Sequence, residues 1–303
     1  MFNRKQFIIT LVVMGVVIIG AGVAIYILEQ DWLYLLIVMM LAYLFLKYKL
    51  TAPLQHFSTK FNLLVDYDLD LEEALRMAKT HYENAPTNGL KAIYRWYLGM
   101  VLYYSGNYEE AIRTLNQVDL RRMNPIYQVL IFVFEAYSAY ELEDREQFDL
   151  FISRIEAIRP RIPMKYQNFV NSYLEILNAM KNKEQLSDQF KEVVEKHFNR
   201  NDGYISTKLI YHYRMAEYFE VIHDELEMDK HLAFVIANGK NHHLAFLAKR
   251  KFKGLVNVDD FIYDPTKPEE EILPTEVEPI QQIDHSQLEE VEIVEEEKKE
   301  DQE

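Results

Sequence analysis

The chain has no cysteine, and glycine and proline number only nine each in 303 residues. Without cysteine there is no disulfide framework, no thiolate metal site and no cysteine nucleophile, a usage that fits a reducing compartment. Scarce glycine and proline, beside 21 tyrosines and 17 phenylalanines, argue against turn-rich β structure and for long helices. Basic charge is also short: 33 Lys and Arg stand against 48 Asp and Glu, a formal net charge of −15. The deficit is local. Asp264 to Glu303 hold 16 acidic and 3 basic residues, net −13, which leaves −2 for residues 1–263. A basic nucleic-acid-binding face therefore finds no support. Also missing are a phosphate loop, a nucleophile elbow, an HExxH helix and a dinucleotide fingerprint. No cofactor or metal is expected, and the chain reads as a protein without enzymatic activity.

What is present begins with two apolar runs. Phe7 to Leu28 is uncharged and long enough to span a bilayer as a helix. A second run starts at Trp32 and is extended to about residue 50 by Tyr48 and the stems of Lys47 and Lys49. Three polar residues, Glu29, Gln30 and Asp31, join them into a tight hairpin. Arg4 and Lys5 precede the first span, Lys47 and Lys49 follow the second, and the link carries no cation. The positive-inside rule then places both termini in the cytoplasm, and the short connections and compact hairpin point to a bacterial cell (plasma) membrane. A cleaved signal peptide fits less well, because the run exceeds a signal core and no Ala-x-Ala site follows it before the second span. Gly15, Gly20 and Gly22 could let two membrane helices approach.

Periodicity divides the remainder. Residues 1–50 form the expected transmembrane hairpin, with spans over about 7–28 and 32–50, and 51–59, with Pro53, form a juxtamembrane linker. Residues 60–255 carry helical periodicity, and 256–303 form an acidic tail. From Pro265 onward four prolines and clustered glutamates leave too few apolar residues for a core, so disorder is expected.

The most informative stretch runs from Leu98 to Val118. Gly99 and Ala111 are small where two helices would cross, and Leu98, Leu102, Leu115 and Val118 make the seam. Gly106 and Asn107 make the turn, with Tyr108 opening the second helix. This pattern of Leu98, Gly99, Gly106, Tyr108 and Ala111 resembles the tetratricopeptide repeat, a helix–turn–helix unit of about 34 residues. The resemblance implies an all-α solenoid that serves as a binding scaffold. Ala74 precedes Ala111 by one repeat length with a short insertion. A further copy is expected from Pro125 to Pro163, with Phe151 where the family usually has Ala. Degenerate pairs follow at Tyr166–Met180 with Leu186–Phe198, and at Lys208–Ile222 with Leu226–Ala237. Gly239 is expected to give the latter a left-handed C-cap, and His242–Phe252 a closing helix.

Two kinds of site compete. In the repeat family the first helix of each unit lines a concave surface, and the matching register puts Trp96, Met100, Tyr103 and Tyr140 there. These suit apolar or aromatic segments of protein partners. The rival is His223-Asp224, with His197 and His212 upstream and Asp259 and Asp260 downstream. That order is similar to the ligands of HD-type metal phosphohydrolases, which are also all-helical. A helix-terminal histidine is the plainer account of His223. The expectation is thus a membrane-anchored repeat adaptor. A metal-dependent phosphohydrolase, or a subunit assembled into a membrane complex through its hairpin, stands as the alternative.

Overall fold

The structure is a computed structural model that describes residues 4–28, 31–199 and 203–264. Among them all regular structure is helical and no strand occurs. Helices α1 (Arg4–Ile27) and α2 (Leu33–Asn62) pack as a hairpin, and both are long and apolar enough to cross a membrane. Asp31 accepts a bond from the Leu33 N–H at 2.9 Å and so helps start α2. Glu29 and Gln30 of the expected polar link lie outside the described residues, as does 265–303 of the acidic tail.

The expected break at 51–59 is absent. Helix α2 continues through Pro53 for another two turns, without the backbone bond that Pro53 cannot donate. Its far end turns inward: Phe57 and Phe61 are fully buried, with Phe57 4.9 Å from the Tyr94 ring and Phe61 4.8 Å from the Tyr97 ring. A π-helical turn over Leu63–Asp68 then ends α2.

The body is a succession of paired helices: α3 (Leu71–Glu83), α4 (Asn88–Tyr104), α5 (Tyr108–Asn116), α6 (Pro125–Glu141) and α7 (Arg145–Ile158). After these come α8 (Gln167–Lys181), α9 (Ser187–Phe198), α10 (Ile205–Val221), α11 (Glu225–Asn238) and α12 (His243–Lys251). One turn recurs. Leu69, Gly106 and Glu143 lie 37 residues apart with φ of 50°, 78° and 59°, and His223 repeats the conformation at 61°. Each is followed by an Asp or Asn at the N-cap of the next helix: Asp70, Asn107, Asp144 and Asp224. In the last three turns the N-cap N–H returns to a carbonyl five residues back, at Leu102, Ala139 and Phe219. This is the 6→1 bond of a Schellman motif, joined directly to the next helix's cap. At Asp70 the bond reaches back six residues, to Leu64, because the π-helical turn has added one.

Close approach inside a pair is visible at Gly99, where a Cβ would fall 2.5 Å from Cγ and Cδ2 of Leu115. Ala111 and Leu115 are fully buried, Leu102 and Val118 are buried, and Leu98 is half-buried. Phe151, on α7 where the repeat family usually has Ala, is buried and is met by the guanidinium of Arg154. The left-handed residue after α11 is Lys240 (φ 44°), one position beyond Gly239. Gly239 is instead required by space, its Cβ position being 2.6 Å from the Val235 carbonyl and 2.7 Å from Ala245. The helical body also outruns its expected end at 255. Val256 and Phe261 are buried against α11, and Asn238 bonds the backbone at both Phe261 and Tyr263 at 2.8 Å.

The array closes on itself. Helix α12 packs on α4, and α10 packs on the turn after α2. Ser206 donates to Asp66 at 2.9 Å, the Tyr67 and Tyr204 rings meet at 4.9 Å, and Lys240 bonds the Asp68 carbonyl at 2.6 Å.

Candidate functional site

Closure determines what became of the expected concave face. Trp96, Met100 and Tyr103 are 6%, 9% and 5% exposed, and Tyr140 is half-buried. Their neighbours belong to this chain. The Tyr103 ring lies 4.6 Å from His243 of α12 and 5.6 Å from Phe134 of α6. Trp96 packs on Tyr97 and Tyr127, with its Nε1–H unpartnered. Tyr140 donates to Glu217 of α10 at 3.0 Å. Tyr103 is thus covered by α12, Tyr140 by α10 and Trp96 by Tyr127 of α6, and the expected face does not stand open to a partner. Tyr108 Oη and His243 Nδ1, 135 residues apart in sequence, meet at 2.8 Å across the seam.

A charged cluster sits at the centre of this interior. Arg214 on α10 pairs with Glu217 at 2.6 Å and with Glu141 of α6 at 2.8 Å, all three nearly without exposure. Lys183 adds a 2.7 Å contact to Glu217. Burial opposes the charge on Glu217, but Arg214 and Lys183 overrule it and hold the carboxyl down at about 2. For Glu141 burial is the stronger influence and pushes the carboxyl up against the pull of Arg214. Every charge here has a partner, so the cluster sets the fit of α10 against α6 and leaves no group free for chemistry.

The histidines and aspartates of the rival site are not gathered. His223 is the exposed left-handed residue of a turn, and Asp224 caps α11 by accepting from the Glu227 N–H at 3.1 Å. His197 bonds Glu175 at 2.8 Å, His212 faces His231 with Nδ1 atoms 2.9 Å apart, and Asp259 and Asp260 are exposed. Among the described residues no three His, Asp or Glu side chains form a group that could hold a metal. The His-Asp pair is one instance of the recurring turn, which accounts for it fully.

The site that sequence reasoning missed is on the outer surface. Between α5, α6 and α7 lies a cleft of about 400 Å³ walled by Leu115, Leu120, Ile131, Phe132 and Ile158. Glu135 lines it from α6 with no exposure and no hydrogen-bond partner for either oxygen. Burial raises its carboxyl to about 8, with Arg154 pulling weakly the other way, so at neutral pH it carries its proton. Arg154 and Arg161 line the cleft as well. Each is without a carboxylate in ion-pair range among the described residues, and Arg154 lies over the Phe132 and Phe151 rings. A glutamate within the run IFVFEAYSAY gives no sequence signal of this kind.

A second cleft, about 500 Å³, separates Arg4, Lys5, Phe7 and Ile8 of α1 from the α3–α4 turn, where Lys91 faces them. Compared with protein-family models, with curated proteins and with solved structures, the chain finds no match.

Proposed function

We propose that this chain is a membrane-anchored, tetratricopeptide-like scaffold that collects protein partners at the cytoplasmic face of a bacterial plasma membrane. The observation that carries the reading is the continuity of α2, whose first half is an exposed apolar rod and whose last turns are core of the helical body. Arg4, Lys5, Lys47 and Lys49 flank the spans on the side of the body, which supports cytoplasmic termini. The recurring 37-residue turn supports the repeat relationship. Confinement to a layer beside the bilayer raises the effective concentration of the scaffold toward other membrane-bound proteins. No catalytic step belongs to this reading. Partners carrying apolar or aromatic segments contact the surface around the start of α8, where Met164 (87% exposed) and Tyr166 in the preceding turn and Phe169 in the helix stand out.

The test is fractionation with topology. The protein should stay with the membrane after alkaline carbonate washing. Protease added to right-side-out vesicles should spare the helical body, and protease added to inverted vesicles should digest it. Recovery of the intact chain in the aqueous fraction overturns the reading. The second reading, assembly into a membrane complex through the hairpin, is favoured by Gly15 and Gly20, where a Cβ would meet nothing within 4 Å. It predicts that Gly20→Leu abolishes co-purification of partners while Met164→Glu leaves it intact; the scaffold reading predicts the reverse.

A further inference from the structure

The cleft between α5, α6 and α7 is chemically incomplete. A carboxyl shut away from water with neither oxygen bonded holds its proton, so the base of the cleft offers an O–H donor. The formal charge is then that of Arg154 and Arg161, and the walls are aliphatic and aromatic. Arg154 and Arg161 are the cations that line the cleft. The complement of such a cleft is a carboxylate beside an aliphatic side chain.

The chain carries that chemistry itself. Residues 288–297, LEEVEIVEEE, interleave Leu288, Val291, Ile293 and Val294 with six glutamates. We propose that this acidic–apolar stretch seats in the α5–α6–α7 cleft of its own chain. An aliphatic side chain lies against Leu115, Leu120 and Phe132, adjacent carboxylates take Arg154 and Arg161, and one accepts a hydrogen bond donated by the O–H of Glu135. Reach is sufficient. The residues between Asp264 and Leu288 extend to about 80 Å, against roughly 40–45 Å across a compact body of some two hundred residues. Linkage within one chain also gives an effective concentration in the ~mM range, so weak contacts suffice. The inference does not depend on the membrane reading, and its failure leaves the fractionation result untouched.

The absence of cysteine makes a direct test possible in the full-length protein. Asn116→Cys at the cleft is paired with Val291→Cys, and Thr80→Cys, on the exposed side of α3, serves as the control partner. Oxidation is followed at low protein concentration in detergent micelles. Expected is an intramolecular 116–291 disulfide formed at least about tenfold faster than 80–291. That rate should drop to the control level in Arg154→Ala/Arg161→Ala and in Glu289→Gln/Glu290→Gln/Glu292→Gln. The tail variant leaves the cleft unaltered, so a folding defect in the arginine variant cannot hide the answer. Equal rates at 116 and 80, or a fast rate indifferent to the tail glutamates, overturn the proposal. Disulfide-linked dimers alone overturn it as well, by assigning the cleft to the tail of a second copy.

Discussion

At the scale of single residues, two side chains show opposite uses of tight space. Gly99 exists because Leu115 occupies the volume of its missing Cβ, and the obstructing Cγ is a branch point close to the backbone that cannot easily swing away. Gly99→Ala should therefore destabilise by about 1–3 kcal/mol. For a body of this size that is a melting temperature lower by roughly 2–12 °C, measurable by circular dichroism. Glu135 is a cost retained. Its carboxyl is raised to about 8 in the fold, against 4.5 as the ordinary value. The unfolded chain releases that proton above 4.5 and the folded chain keeps it, so the penalty grows with pH across this window. Glu135→Gln should stabilise by a few kcal/mol at about pH 8 and leave stability near unchanged at about pH 4. Denaturant titrations at the two pH values check it, and equal effects at both would show that Glu135 is ionised in the fold.

Helices and turns tell a different story about what a sequence reveals. Gly106-Asn107 was legible because glycine advertises a left-handed turn. Leu69, Glu143 and His223 hold the same conformation without glycine, so the 37-residue period was only partly visible. His223-Asp224 even imitated a metal motif, since Asp is what an N-cap needs and His tolerates the left-handed region. Pro53 suggested a break in α2, yet the helix passes through it. Seams between elements were wholly hidden. The closure of α12 on α4 depends on His242 and His243, and α10 is fastened to α11 through His212 and His231. Burial holds all four rings well below the usual histidine range, His231 and His242 down to about 3. Each folded ring is neutral, so below about 6.5 the unfolded chain takes up protons the folded one refuses, at up to ~1.4 kcal/mol per pH unit and ring. Acidification relieves Glu135 and Glu141, but two carboxyls oppose four histidines. The melting temperature should fall between about pH 7 and pH 5. Hydrogen exchange should then quicken first in α12, where His243 Nε2 lacks a partner and Arg214 adds repulsion to any proton gained. Uniform acceleration across α3–α11 would contradict this.

Taken whole, the all-helical body and the two apolar helices could be foreseen because both are written in hydrophobic period, which survives any arrangement of the units. The closed ring could not. Trp96, Met100, Tyr103 and Tyr140 have the register expected of a concave face, and in the fold the first three are buried and Tyr140 is half-buried. Whether they are open depends on residues far along the chain, 140 positions on for Tyr103 (His243) and 77 for Tyr140 (Glu217). Arg214, Glu141 and Glu217 likewise look like surface charges in sequence and meet only once the ring shuts. The outer cleft at Glu135 was missed because a lone acid in an apolar run has no period to betray it.

One consequence follows from α2 running as a single helix, with Pro53 inside it, from its apolar half to Phe61. A continuous helix converts angle into travel: with the proposed anchoring, a 10° change of tilt carries a point ~40 Å along it sideways by about 7 Å, within the range of tilts that helices adopt as bilayers thicken or thin. Lipid thickness and lateral pressure would thus be felt as swing at the outermost helices, and a pair of glycines inserted after Thr51 should uncouple the two while leaving both ends folded.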